Sequence, residues 1–400
     1  MEASNAAGAG ELHGERGPLR IERVQCFPVR YPIQGQFRFF QGPGAAGGRP
    51  SVIIKITAAG GAVGWGESVP LPRWSYETLE GALAAIQQYI APVIIGRDAF
   101  DLHGLHKAMN QEIANGATTG MPIAKAGVDL ALHDLAGKAL GVNVARLWGR
   151  APGDEVLLSW TLNPKSLDDV EAYVAEGRER GFAHFNVKVA PDLEYDVAFC
   201  RAVKRLVPDG FLWADANGMY DLATAKRALP RLAAEGVPVL EQPIGINHRA
   251  GYQELRGMNI LPIIVDEGVV SPADLLDLIR LACCDGVAMK PARCGGLGSA
   301  VRQLQLLEDA GMLFLGSGLT DPDLSLAASL ILYGAFGLKY PAALNGPQFL
   351  RESVLAEPFK PVNGRLPVPR GPGLGVEVDE AKVQDLMEQG RRRAFTCIVS

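Results

Sequence analysis

The sequence predicts an α/β chain, a modified TIM (β/α) barrel preceded by an N-terminal α+β capping domain, and three observations carry that prediction. From Val156 onward, strand-like and helix-like patterns alternate as far as Asn345. The repeat is about 25 residues, roughly a strand, a helix and two loops. Lastly, Lys188, Asp215, Glu241, Asp266 and Lys290 fall at the same place in successive repeats, at a strand end. Neighbouring parallel strands of a barrel bring such positions to one mouth.

Taken in order, Met1 to Pro18 is small and polar and is expected to be a disordered tail, without the apolar stretch of a signal peptide. Residues 19–150 are assigned to the capping domain. Ile21–Val29 alternates apolar and polar residues, and Val52–Ile56 and Ala62–Glu67 complete a small meander sheet. The glycine-rich stretch Gly42–Gly48 that follows Phe37–Gln41 suits neither strand nor helix and reads as a mobile lid or a disordered loop. Helical periodicity covers Thr78 to about Ile90 and Met121–Leu140, the latter stopped by Gly141.

The barrel is assigned to residues 151–350, with eight strand candidates: Val156–Leu162, Phe185–Val189, and segments at Asp215, Glu241, Asp266, Lys290, Leu313–Gly316 and Ala342–Asn345. The intervening helices include Leu167–Arg180, Tyr195–Leu206 and Leu324–Tyr333. From 351 to 400 turn-rich sequence leads into one amphipathic helix, expected to pack back on the capping domain.

Composition narrows the function. With 400 residues, 48% of them hydrophobic, the chain can bury a large core, and a net charge of −5 offers no surface for nucleic acid. Arg391-Arg392-Arg393 reads as a solvated helix end. No run approaches the roughly 18 apolar residues of a membrane span. Six cysteines without paired CxxC spacing indicate free thiols in a reducing compartment, so a cytoplasmic location is expected. Gly296-Leu297-Gly298 lacks the third glycine of a dinucleotide loop, Val301 standing there. The histidines show no ligand spacing, and only His184 is expected near the mouth.

A lone acid at a strand end is usually a cap or a salt-bridge partner. Three in common register, without histidine or cysteine, make a hard all-oxygen site suited to Mg2+ or Mn2+. A carboxylate substrate there would have its α-proton acidified, the enolate being stabilised as charge grows on its oxygens. Lys188 and Lys290, before and after the acids in otherwise apolar strands, would face that carbon from opposite sides. A lysine base requires a pKa brought down from about 10.4 by burial or a neighbouring cation.

The chain resembles the enolase superfamily, in particular its muconate lactonizing enzyme subgroup, from about Ile21 to Val378. The resemblance rests on Gly64-Trp65-Gly66-Glu67, Ala131–Lys138, Asp215-Ala216-Asn217, Glu241-Gln242-Pro243, Asp266-Glu267, Lys290–Gly296 and Pro372–Gly375. It implies Mg2+ held by Asp215, Glu241 and Asp266, bases Lys188 and Lys290, and capping loops Phe37–Gly48 and Pro70–Tyr76 closing over the site. Phe39 and Trp74 from those loops, Asn186, Asn217, Glu267, Asp321 and Asp323 are expected to touch the substrate or support the residues that do. A homo-oligomer is also expected.

The subgroup usually carries Lys-x-Lys on the second barrel strand, and here the first position is Asn186, so the tuning cation is absent. Related hydroxyproline-type dehydratases also place a small polar residue there. Ala343-Leu344-Asn345 replaces the Asp-x-Asp pair that holds the ammonium of dipeptides in dipeptide epimerases, which disfavours such substrates. The seventh strand lacks the histidine base of mandelate racemase. The leading expectation is a racemase, epimerase or cycloisomerase-like enzyme acting on a small carboxylate. Dehydration of a hydroxy acid or hydroxyproline-type substrate is the alternative, and a noncatalytic metal-dependent binding protein is the third reading.

Overall fold

The structure is a computed structural model that describes residues 17–190 and 192–395, so the expectation for the N-terminal tail lies almost wholly outside the described residues. Strands β1 (Ile21–Tyr31), β2 (Arg49–Ala58) and β3 (Val63–Ser68) form an antiparallel meander. One face of it lies on the helix Pro122–Leu140, which is buried along almost its whole length and is accordingly rich in alanine and leucine. Contact is so close that a Cβ at Gly64 would stand 2.2 Å from the Ala131 carbonyl oxygen, and one at Gly66 the same distance from that of Gly127. The glycines of the Gly-Trp-Gly-Glu run are therefore packing requirements.

The helix expected from Thr78 starts there, the Thr78 hydroxyl accepting from Gly81 N–H at 3.0 Å, and runs on through a π-helical segment, Ala85–Ile90, to Ile94. A helix at Leu102–Glu112, capped by Asp101, was not anticipated, because His103, Gly104 and His106 interrupt its apolar periodicity. The Phe37–Gly48 stretch holds two short 3-10 turns, Arg38–Phe40 and Pro43–Ala45, and Phe37 and Ala45 are buried.

The second half is a curled parallel sheet. Strands β4 (Glu155–Leu157), β5 (Trp160–Leu162), β6 (Phe185–Lys188), β7 (Leu212–Asp215), β8 (Val239–Glu241), β9 (Ile263–Val265), β10 (Gly286–Met289) and β11 (Leu313–Gly316) follow one another, with β5 to β11 making a seven-stranded sheet in sequence order. Two expectations are corrected. The single first strand, Val156–Leu162, is broken, because β4 turns away to pair antiparallel with Arg365–Pro367 while β5 joins β6. The eighth strand shrinks to two parallel bridges, Ser317 with Ala343 and Leu158 with Ala342, which nevertheless link the sheet's two edges. Pro341 lacks an N–H for the ladder and a helix begins at Gly346, so little chain is left for a strand there.

Trp213, Val239, Ile264, Ala288, Leu315 and Ala343 pack together as an apolar floor inside the barrel. The helix Glu380–Phe395 lies against β1, with Lys55 Nζ 2.5 Å from Glu380 Oε1. The five cysteines among the described residues are free thiols.

Two of the barrel helices that begin without a capping side chain of their own are capped from the N-terminal half. The helix Leu297–Asp309 starts after Gly296, and the helix Asp323–Ala335 after Pro322. Their open N–H groups are met by carboxylates from the N-terminal half. Asp129 accepts from Leu297 at 2.5 Å, and Glu67 accepts from Leu324 at 3.1 Å and Ser325 at 3.4 Å. Both acids are fully buried, and Asp129 also holds His106 and His133.

Candidate active site

The five charged residues singled out from their spacing meet at the C-terminal ends of the strands. Lys188, Asp215 and Glu241 end β6, β7 and β8, and Asp266 and Lys290 directly follow β9 and β10. In-register pairing of Lys188 with Asp215, and of Asp215 with Glu241, puts these side chains on one face of adjacent strands. One carboxylate oxygen each from Asp215, Glu241 and Asp266 lies within 4.8 Å of the others, and all three residues are buried.

Two backbone features aim these acids. Asn217 and Gln242, just beyond Asp215 and Glu241, have φ of 45° and 40°, a left-handed conformation that a residue with a side chain adopts only when its surroundings impose it. Gln242 is held by its amide, whose Nε2 donates to Ile244 O at 3.0 Å and whose Oε1 accepts from Asp266 N–H at 2.9 Å. Asn217 donates from Nδ2 to Asp215 Oδ2 at 3.1 Å and to Glu267 Oε1 at 3.0 Å.

Lys188 donates to Asp215, and Lys290 and Arg293 donate to the two oxygens of Asp266. The lysine side chains are 5% and 2% exposed, so neither ammonium is solvated by bulk water. Glu241 has no such partner, and its Oε1 is buried and unpaired. Burial, with Asp215 and Asp266 beside it, raises its pKa well above the usual carboxylate range. Burial also acts on Asp266, but Arg293 and Lys290 outweigh it and hold this carboxyl below its ordinary value. Burial and the Asp266 charge push Glu267 up to about 7. The unpaired Glu241 oxygen, amid an all-carboxylate donor set, fits a hard divalent cation.

Trp74 closes the site from the capping side, its ring centroid 5.6 Å from Lys188 Nζ and 5.0 Å from Lys290 Nζ. Phe39 stacks on it at 4.4 Å with an interplanar angle of 2°, and Phe37 packs edge-on. Arg38 ties the same loop to the barrel through Val189 O at 3.1 Å. Asn186 lies two residues before Lys188 on the same face of β6 and is buried.

Not every expected residue joins the site. Asp321 accepts from Leu319 N–H at 3.0 Å and Ser329 Oγ at 3.3 Å, and Asp323 from Ser353 Oγ and Val354 N–H, each at 2.7 Å. These carboxylates are committed to internal partners around the loop after β11, which is the supporting one of the two placements expected for them. The expectation for His184 is corrected. This residue precedes β6 and accepts from Phe211 N–H at 3.1 Å, at the strand's N-terminal end and thus opposite the mouth. Arg293 has no role assigned from sequence, although it lies within the Lys290–Gly296 run that carries the family resemblance. A cleft of about 780 Å³ between the helices Leu102–Glu112 and Leu297–Asp309 is separate from these convergent charges.

A half-closed parallel barrel with an acidic trio at its mouth and an aromatic lid from a preceding sheet domain defines a class of metal-dependent enzymes. Residues 169–382 match the enolase C-terminal domain-like family, and residues 42–149 match the mandelate racemase / muconate lactonizing enzyme N-terminal domain. The chain belongs to the enolase superfamily, in its muconate lactonizing enzyme subgroup. It is 32% identical to muconate cycloisomerase 1 of Rhodococcus opacus over 83% of this chain and 89% of that protein. Identity with a chloromuconate cycloisomerase of Pseudomonas putida is 30%, over 93% of this chain and all of the other. Muconate lactonizing enzyme from Pseudomonas fluorescens, solved with muconolactone, superposes with a TM-score of 0.85 at 28% identity, over 92% of this chain and 99% of the other. Among the described residues no helix is long and apolar enough to cross a membrane.

Proposed function

We propose that the chain moves the α-proton of a small carboxylate between two lysines, with Mg2+ or Mn2+ held by Asp215, Glu241 and Asp266. The observation that supports this is the pairing of Lys188 with Asp215 and of Lys290 with Asp266, which sets one amine on either side of the trio. Held by these three carboxylates, a divalent cation would supply positive charge to offset the substrate carboxylate and the negative charge that grows on its oxygens. Lys188 or Lys290, as the neutral amine, takes the proton from one face, and the other, as ammonium, returns a proton to the opposite face. The α-carbon is inverted, and the leading reading is therefore a racemase or epimerase. Trp74 and Phe39 exclude water during the transfer, while Asn217 and Arg293 hold Asp215 and Asp266 in place.

The cycloisomerase relatives favour a second reading, a ring-closing isomerisation in which one lysine handles the proton at the α-carbon. Incubation with Mg2+ and a pool of N-acyl amino acids, proline derivatives, hydroxy acids and unsaturated dicarboxylates in D2O, followed by mass spectrometry and chiral separation, tests the proposal. A one-dalton gain with inversion supports two-base transfer, and a cyclic isomer supports the second reading. Loss of water identifies dehydration, with one lysine as base and the other group protonating the departing hydroxyl. Unchanged acids across the pool would count against all three.

A further inference from the structure

A row of polar side chains runs along the inner wall next to Lys188. Asn186 on β6 is in register with Thr161 on β5 and with Trp213 on β7, and Asn345 donates from Nδ2 to Thr161 Oγ1 at 3.2 Å. Asn186, Asn345 and Trp213 are 1%, 5% and 0% exposed. Yet both amide atoms of Asn186, the Asn345 carbonyl oxygen and the Trp213 indole N–H have no hydrogen-bond partner. A buried polar atom left unpaired costs about 1–3 kcal/mol, so a concentration of them beside a catalytic lysine marks a place where function supplies the partner.

Their chemistry selects that partner. The row offers donors, Asn186 Nδ2 and Trp213 Nε1, and acceptors, Asn186 Oδ1 and Asn345 Oδ1. Exchanging the oxygen and nitrogen of Asn186 leaves the same pair on offer. An ammonium would satisfy the acceptors and confront the donors, whereas a second carboxylate would do the reverse. A hydroxyl both donates and accepts, and it brings no charge into a wall whose row carries none.

We infer that Asn186, Asn345 and Trp213 form the subsite for a hydroxyl group of the substrate, which makes the substrate a hydroxy acid rather than a dicarboxylate or a free amino compound. The inference rests on the proton-transfer reading above for the placement of the substrate's carboxylate at the other end. Isothermal titration of the full-length, Mg2+-loaded protein with 3-hydroxybutyrate, 4-hydroxybutyrate, butyrate and glutarate tests it, with the same acids recovered from D2O for mass analysis. At least one hydroxybutyrate should bind about tenfold or more tightly than butyrate and glutarate. In Asn186→Leu that preference should fall to within about twofold, while the melting temperature does not fall, because an orphaned amide has been replaced by an apolar group. Asn345→Leu, measured in the same way, keeps the test decisive should Asn186→Leu fold poorly.

No preference for the hydroxylated acids, including no binding of any of the four, overturns the inference, as does a preference undiminished in the folded variants. Proton exchange without a hydroxyl preference overturns the subsite and leaves the proton-transfer reading standing. A hydroxyl preference lost in the variants, with no exchange in any acid, keeps the subsite and counts against proton transfer.

Discussion

Substituting Glu241 by glutamine should stabilise the metal-free protein while abolishing its response to Mg2+. Charges 4.8 Å apart, the outer limit for the trio's oxygens, repel by about 3.5 kcal/mol at an effective dielectric of about 20. Lys188 and Lys290 offset part of this, and burial of the unpaired carboxylate adds to it, leaving a relief on the order of 2 kcal/mol at neutral pH. A chain of 400 residues has an unfolding entropy of about 0.8 kcal/mol per kelvin, so Glu241→Gln should melt about 2–3 °C higher in EDTA. The sign follows from the raised pKa. Glu241 ionises more easily unfolded than folded, so the wild type loses stability as pH rises from about 4.5, and below that the two proteins should converge. Mg2+ at a hundred times its Kd should stabilise the wild type by about 2.7 kcal/mol, or about 3 °C, and leave the variant unmoved. Differential scanning fluorimetry across pH with EDTA or Mg2+ reads both effects. A variant that melts lower in EDTA, or keeps the full rise with Mg2+, would refute the assignment of Glu241 as the unpaired member of a metal site.

Lys188→Ala and Lys290→Ala should each slow inversion by about 10²–10⁴-fold, and each should still exchange the α-proton of one enantiomer, read by deuterium incorporation into separated isomers; loss of exchange in both enantiomers with either variant contradicts the two-face arrangement. Trp74→Leu removes the ring over both amines and the stack on Phe39, and should cut kcat/KM by about tenfold or more with little change in melting, whereas unaltered kinetics would show that the lid has no part in turnover. Asp129→Asn removes the charge that caps the helix at Leu297 and binds two histidines, and should cost about 3 kcal/mol, or about 4 °C, with unchanged melting as the contrary result. The Asp129 carboxyl lies below its ordinary range because His133 and His106 outweigh the effect of burial. The stability it contributes is therefore present above about pH 3.8 and lost as pH falls further.

The charged mouth was legible because a barrel converts a repeat along the chain into proximity, so Lys188, Asp215, Glu241, Asp266 and Lys290 could be read from their spacing. Trp74 and Phe39 were reached only through the family resemblance, since nothing in their local sequence places two loops of one domain over the mouth of another. The sequence left the role of Asp321 and Asp323 open between substrate contact and support, because position at a strand end does not tell whether a carboxylate turns toward the mouth or folds back on Leu319, Ser329, Ser353 and Val354. Arg293 shares that difficulty in reverse: its role depends on reaching back to Asp266, a contact with no periodic signature. The broken first strand was hidden because β4 finds its partner in Arg365–Pro367, more than two hundred residues away.

The carboxylates that the N-terminal half lends to the helices at Leu297 and Asp323 limit how far this architecture can be treated as modular. A barrel excised from its cap would lose the anion at two helix starts, one of them just beyond the turn that carries Lys290 and Arg293. A chimera that grafted a foreign cap would have to bring an acid at the place of Asp129 and keep residue 296 without a side chain, because a Cβ there would lie 2.2 Å from Asp129 Oδ2. Changes of substrate range drawn from the lid would thus come more readily by exchanging Phe37–Gly48 or Pro70–Tyr76 within the existing cap than by shuffling whole domains.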